Sequence, residues 1–300
     1  MTIDGMPTAE LDIDPTLIRA LLNAQHPDLA NLPLVDVGGG WDNKLYRLGD
    51  SLAVRLPRRA AAAALIEHEQ RWLPELAPGL PLPIPVPVRV GRPGCGYPWS
   101  WSVTPWLIGQ SAAIAPQHDV ATAAIELGAF LCAFHQSAPS AAPRNAVRGV
   151  PLSNRTKVVH GRARQVDPLV DGAALLHLWS QLVETPPSTR PPLWIHGDFH
   201  PGNLLVSEGR LSAVIDFGDL CAGDPATDLS VAWMLLPSSA RPTFRAAAGG
   251  SIGWIDDHTW MRARGWALAL GLAFVANSQG NDVMGALGRA TLEAVLCDNS

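Results

Sequence analysis

Cysteine is scarce in this 300-residue chain: Cys95, Cys132, Cys221 and Cys297 stand far apart, and no two form a CxxC pair. That spacing speaks against a structural zinc site and reads as reduced, mostly buried thiols. Positive charge is also short. The formal net charge is −5, so a broad nucleic-acid footprint is not expected. No apolar run is long enough to span a bilayer. The longest, 266–276, lies between Arg264 and Asn277 and reads as a buried helix. Residues 1–14 are acidic and have neither the basic nor the apolar region of a secretory leader. Internal repeats and a GxGxxG glycine pattern are missing too. The expectation is a cytoplasmic protein with no membrane and no nucleic acid as partner.

What is present has an order. Asp14-Pro15 reads as an N-cap followed by a first-turn proline, and Leu17, Ile18, Leu21 and Leu22 recur at helical spacing. Strand-like runs follow at 34–37, 44–48 and 51–56, joined by Gly38-Gly39-Gly40 and by Gly49-Asp50, as in an antiparallel meander. Segment 60–73 reads as a helix. Segment 74–98 holds eight prolines interleaved with Leu, Ile and Val, so it reads as a packed extended connection rather than an exposed polyproline ligand. A Trp-rich strand is expected over 97–107 and helices over 120–135 and near 173–182. Strands are expected around 204–206 and 211–215, and a helical pattern from 225 to 293. A strand-rich start followed by a helical remainder gives an α+β chain in two lobes.

The informative stretch runs from Trp194 to Asp228. It contains His196-Gly197-Asp198-Phe199-His200-Pro201-Gly202-Asn203, then Ile215-Asp216-Phe217-Gly218-Asp219, then Gly223-Asp224-Pro225 ending at Asp228. Phosphoryl transfer needs a hydroxyl held in line, a proton acceptor, and a hard cation on oxygen ligands beside the phosphates. Asp198 fits the proton acceptor and orienting group. Asn203 and Asp216, the latter after an apolar strand, fit the metal ligands. His196, Asp198 and His200 alternate as in a metal hydrolase. No second His-rich cluster supplies the remaining ligands of such a site, since His160, His177 and His258 are scattered singly.

This pattern resembles the aminoglycoside phosphotransferase and choline kinase superfamily, through its His-Gly-Asp-x-His-x-x-Asn and Ile-Asp-Phe signatures. The resemblance implies a protein-kinase-like fold with a small antiparallel-sheet N-lobe, 1–106, and a larger, mainly helical C-lobe, 107–300. It implies Mg²⁺, and ATP or GTP as donor, with Asp198, Asn203 and Asp216 in the roles just argued and Asp228 as a buttress of the loop. His196 would hold the loop backbone, and His200 would do the same or line the site. The loop carrying Gly39, Gly40, Trp41 and Asn43 would fold over the triphosphate. Arg55 stands where such folds carry a lysine, with Glu69 as its partner and Glu67 second. Backbone groups at Val103 and Trp106 would meet the purine, and the lobe boundary falls near 106–109.

The resemblance also implies that the acceptor is a small hydroxyl compound, which would be bound by 139–190 and 241–300. For a polycation the candidate carboxylates are Asp167, Asp171, Asp256, Asp257 and Asp282. Against that, Arg144, Arg148, Arg155, Lys157, Arg162 and Arg164 make the first segment basic, which suits a neutral or anionic acceptor. Trp233, Trp254, Trp260 and Trp266 could line an apolar pocket or pack helices. The expected activity is transfer of a γ-phosphoryl group to a hydroxyl, with an aminoglycoside or other antibiotic as the family-typical acceptor. A metabolic alcohol or sugar kinase, and an inactive nucleotide-binding regulator, are the alternatives.

Overall fold

The structure is a computed structural model that describes residues 8–115, 119–166, 170–250, 254–278 and 282–298. The chain enters its first element through the cap read from sequence. Asp14 accepts the amide of Leu17 at 2.8 Å, and helix α1, Pro15–Gln25, buries Ile18, Leu21 and Leu22. Strands β1, Leu34–Gly39, β2, Asn43–Leu48, and β3, Leu52–Pro57, then form the antiparallel meander. Helix α2, Ala60–Leu76, runs three residues past its expected end. Pro74 lies inside it. A proline costs a helix one amide bond, and here the turn beyond it still closes, with the Ala77 amide on the Leu73 carbonyl.

The proline-rich connection is packed. Leu82 and Ile84 are buried, and the carbonyl of Pro83 accepts the amide of Val214 at 3.1 Å. It ends in β4, Arg89–Gly91, an edge strand on β5, Trp101–Pro105, giving the sheet order β1-β2-β3-β5-β4. The strand expected over 97–107 is therefore shorter. Tyr97 instead bridges to Gly94 in a tight turn closed by Gly96 at φ +83°.

The second half opens with β6, Gln110–Ser111, and α3, Val120–Phe134, capped by Asp119. Two short helices follow, α4, Thr156–Ala163, and α5, Gly172–Leu182. Strand β7, Leu193–Ile195, pairs with β10, Cys221–Gly223. Between them lies the hairpin of β8, Leu204–Ser207, and β9, Arg210–Val214, onto which β6 adds. The chain ends in helices α6, Ala226–Leu229, α7, Val231–Leu235, α8, Arg241–Gly249, α9, Asp257–Ala276, and α10, Asp282–Leu296. Helix α9 is buried along almost its whole length, as the apolar run at 266–276 foretold.

Most buried apolar side chains among the described residues fall into two clusters. One joins α1 to the five-stranded sheet through Leu21, Tyr46, Val54, Tyr97 and Trp101. The other fills the helical part, and Trp72, Leu73, Leu82 and Ile84 belong to it although they precede β4. Of the cysteines only Cys221 is buried, while Cys95, Cys132 and Cys297 are exposed, which corrects the expectation of mostly buried thiols. Chain length and low cysteine content cannot report exposure at single positions. Among the described residues no helix is long and apolar enough to cross a membrane.

Candidate active site

Strand pairing sets the site. The β7–β10 ladder matches Ile195 with Cys221, so the loop after β7 and the loop before β10 leave the same end of a two-stranded ribbon. The β8–β9 hairpin then matches Leu204 with Val214, and the Ile215 amide donates to the Asn203 carbonyl at 2.9 Å. Asn203 and Asp216 are thereby held side by side at the hairpin's open end. Asp216 takes a left-handed backbone, φ +63°, and its carboxylate is 58% exposed.

The loop between β7 and β8 is tied down by buried polar groups. Asp228 accepts the amides of His196 at 2.8 Å and Gly197 at 2.9 Å, and meets His135 Nε2 at 3.1 Å. Gly197 has φ +85°, and a Cβ there would lie 2.5 Å from the Asp219 carbonyl oxygen, so the position requires glycine. His196 is fully buried. Its Nδ1 accepts the Asp198 amide, which leaves Nε2 protonated to donate to the Ile215 carbonyl at 3.0 Å. One imidazole thus clamps the loop to the residue before Asp216. His200 works the same way: Nδ1 accepts the Gly202 amide at 3.0 Å, and Nε2 donates to Asp198 Oδ2 at 3.2 Å.

Asp198 Oδ1 receives Arg148 Nη2 at 2.7 Å. Arg148 also donates through Nε to Asp219 Oδ2 at 2.9 Å, and Asn145 donates to the other Asp219 oxygen at 2.9 Å. Burial by itself would raise the pKa of Asp198. The charge of Arg148, followed by the interaction with His200, outweighs it and holds the carboxyl well below the usual range. Arg148 reaches the loop because its neighbour Gly149 packs directly on Gly223 of β10, with no room for a Cβ on either. The side-chain amide of Asn203 donates to the Asp198 carbonyl at 2.9 Å, so its oxygen is what it can offer a ligand.

Arg55 on β3 is buried against Glu69 on α2 in a two-point contact, Nη1–Oε2 2.5 Å and Nη2–Oε1 3.1 Å, and approaches Asp216 Oδ1 at 3.9 Å. Burial disfavours the charge, but Glu69 and then Asp216 raise the guanidinium's pKa. The other candidate, Glu67, is exposed and accepts from Ser100 instead. The glycine loop is braced by Arg58 on the Gly40 carbonyl and by Arg59 on Asp42. Trp41 at its tip is 49% exposed, while the Asn43 side-chain oxygen is shielded and unpartnered.

A cleft of about 730 Å³ gathers the glycine loop, Arg148, Asp198, His200, Asp216 and Asp219, while Arg55, Glu69, Asn43 and Asn203 are not among the residues that line it. Gly39, Gly40 and Trp41 form one wall, and Asp198, His200, Asp216 and Arg148 form the floor. Leu270, Ala273 and Phe274 of α9, with Met284 of α10, form an apolar far wall. Sequence reading missed Arg148, His200 and Asp219 as a unit. Asp219 was signalled only by its place after Asp216-Phe217-Gly218, and Arg148 only by the basic character of its segment.

The structure also places the residues expected to face the purine and the acceptor. Val103 sits inside the sheet with its carbonyl taken by the Val88 amide, and the Trp106 amide donates to Ser51, so neither group is open to a purine. Strands β3 and β4 flank β5 on both sides and use its polar groups. The tryptophans proposed for a pocket do not line the cleft. Trp233, Trp260 and Trp266 are core residues, and Trp254 packs edge-on to His135. Asp171 and Asp256 cap helices, and Asp257 pairs with Arg245, so these three carboxylates are also away from the cleft. Asp167, and the side chain of Asp282, lie outside what the structure describes.

Comparison with known proteins follows the same lines. The model of a family described as "Phosphotransferase enzyme family" matches residues 34–266. No curated protein matches. Among solved structures, the chain is 22% identical to the GDP complex of a wild-type aminoglycoside 2'-phosphotransferase-IIIa, covering 96% of this chain and 100% of that one at TM-score 0.66. It is 20% identical to a macrolide 2'-phosphotransferase type I, covering 95% and 99% at TM-score 0.64. A third likeness is to the macrolide 2'-phosphotransferase MphH from Brachybacterium faecium, 20% identical over 93% and 98% at TM-score 0.57. At these identities the solved structures establish the fold, a mixed chain with an antiparallel sheet first and helices after.

Proposed function

The chain belongs to the phosphotransferase enzyme family, and from that premise we propose that it moves the γ-phosphoryl group of ATP or GTP onto a hydroxyl of a small molecule, with Asp198 at the point of transfer. The observation that carries this reading is the convergence of Asp198, Asp216 and the glycine loop on one cleft. In it, residues 1–106 serve as the nucleotide lobe and 107–300 as the catalytic and acceptor lobe. Asp198, kept anionic by Arg148 and His200, orients the acceptor hydroxyl and takes its proton. Asn203 and Asp216 offer oxygens, the donor type Mg²⁺ prefers, at the hairpin end beside Arg55. When bound there, Mg²⁺ would offset charge on the phosphate oxygens. Arg55, positioned by Glu69, reaches the phosphates, and the glycine loop at Gly39 and Gly40 covers them. With Val103 and the Trp106 amide engaged in the sheet, the Trp106 carbonyl and the Ile108 amide are the groups left to meet a purine.

The acceptor faces Leu270, Ala273, Phe274 and Met284, so it presents an apolar surface there. The three placed carboxylates that a polycation would use are engaged elsewhere, which favours a macrolide-like or otherwise weakly cationic antibiotic over an aminoglycoside. The cytoplasm, where the donor nucleotide is abundant, is its place of action. A panel of hydroxylated antibiotics and metabolic alcohols, read as nucleoside diphosphate release, tests this. Acceptor-stimulated, Mg²⁺-dependent release that is lost in Asp198→Asn is the expected result. Tight nucleotide binding without turnover on any acceptor would instead assign a regulatory role.

A further inference from the structure

Among the described residues, the carboxylates that line the cleft are Asp42, Asp198, Asp216 and Asp219. Two arginines, Arg59 and Arg148, line it with them and engage all but Asp216. Arg59 Nη2 meets Asp42 at 2.5 Å. Arg148 bridges the next two, with Nη2 on Asp198 Oδ1 at 2.7 Å and Nε on Asp219 Oδ2 at 2.9 Å. The other oxygen of each is also taken, by His200 Nε2 on Asp198 and by Asn145 on Asp219. Asp216 faces Arg55 at 3.9 Å and is the metal ligand of the reading above.

The bridge is held from its own backbone. The side-chain oxygen of Asn145 accepts the amides of Val147 at 2.9 Å and Arg148 at 3.2 Å, closing a turn. The Gly149 amide donates to Thr227 Oγ1 at 3.1 Å, and Gly149 packs on Gly223, so the turn is fixed against β10. The Arg148 side chain is only 18% exposed, although it borders the cleft. Its charge has a consequence for what can sit there. His200 accepts at Nδ1 and donates at Nε2, so it is neutral, and two carboxylates against one guanidinium leave a single negative charge. Each carboxylate oxygen keeps a lone pair for a hydroxyl. One ammonium beside that hydroxyl can be matched. A second would find no free carboxylate, would approach the guanidinium, and would meet no counter-charge on the wall of Leu270, Ala273 and Phe274.

We propose that Arg148 is a specificity residue of the acceptor site: by occupying Asp198 and Asp219 together, it turns away polycationic acceptors and admits those with at most one cationic group near the reacting hydroxyl. This rests on the phosphotransferase reading above and narrows its acceptor class. Discrimination here comes from a repulsive group rather than from an added contact.

The test loads the full chain with a non-hydrolysable ATP analogue and Mg²⁺, then titrates kanamycin, which carries several amines, by calorimetry. Wild type should bind it weakly. Arg148→Gln and Arg148→Met are two neutral replacements, of which one folded example suffices. Either should bind kanamycin at least about tenfold more tightly than wild type. Arg148→Lys keeps the charge and should stay near wild type. Adding Asp219→Asn to a neutral replacement should cancel the gain, which a mere loosening of the loop would not do. Three results overturn the proposal: a wild-type Kd below about 10 μM, a folded neutral replacement that binds no more tightly than wild type, or a gain that survives Asp219→Asn. No turnover is measured, so this failure is separate from failure of the Asp198-dependent transfer assay.

Discussion

Asp228 does not line the cleft, yet it accepts the amides of His196 and Gly197 in a fully buried setting. Asp228→Ala leaves two buried N–H groups unpaired, at about 1–3 kcal/mol each. For a chain of this size that lowers Tm on the order of 5–10 °C, readable by thermal denaturation. Asp198→Asn is expected to behave in the opposite way. Arg148 keeps Asp219, so the fold holds, while acceptor-dependent turnover falls about 10²–10⁴-fold with the loss of a proton acceptor. Thiol labelling distinguishes the cysteines. Burial, then Asp228 and Asp219, pushes the Cys221 thiol up to about 12, so near neutral pH it stays protonated and unreactive. Cys95, Cys132 and Cys297 should react with an aromatic disulfide reagent in the native protein, and Cys221 only after unfolding. At this scale the sequence is readable where contacts are local. Asp198, Asn203 and Asp216 come together across one short hairpin, so their order in the chain is also their order in space. Arg148 is 50 residues from Asp198, and no short spacing could announce that contact.

Elements show the same division. Helix α1 and the meander carry their caps, turns and periodicity within a few residues, and these signals suffice to find them. Strands β7 and β10 are three residues each and are held by partners distant in sequence, so neither has a pattern of its own. Helix α4 carries Val158, Val159 and Gly161, all weak helix formers. Packing against α9 and the Trp179 indole on Thr156 at 3.3 Å hold it instead. The loop after β7 depends on one backbone conformation. Gly197→Ala drives a methyl into the Asp219 backbone and so disturbs the Asp219–Arg148–Asp198 chain. Turnover should fall at least tenfold with nucleotide affinity nearly unchanged, separated by measuring kcat alongside nucleotide Kd. An equal loss of both would mean that the loop also shapes the donor side.

Across the whole molecule, the two apolar clusters do not divide at the sheet's last strand. Trp72 meets Trp194 at 5.0 Å between ring centres, and the proline-rich connection runs beside β9. The five-stranded sheet is therefore fastened to the helical part at its back, while the glycine loop at the front lines the cleft. Nucleotide with Mg²⁺ at 100 times its Kd should stabilise the fold by about 2.7 kcal/mol, seen as a rise in Tm. Asp216→Asn should remove the Mg²⁺-dependent part of that rise and leave the apo Tm close to wild type, since its carboxylate is mostly solvent-facing. The tip of the glycine loop gives such experiments an optical signal. The chain has eleven tryptophans, and Trp41 is the one that is about half exposed, at the mouth of the cleft. The others are buried or partly buried and should emit toward the blue with little change. An unlabelled sample therefore carries its own fluorophore where ligands enter: quenchable by iodide when the cleft is open, and shielded as it fills.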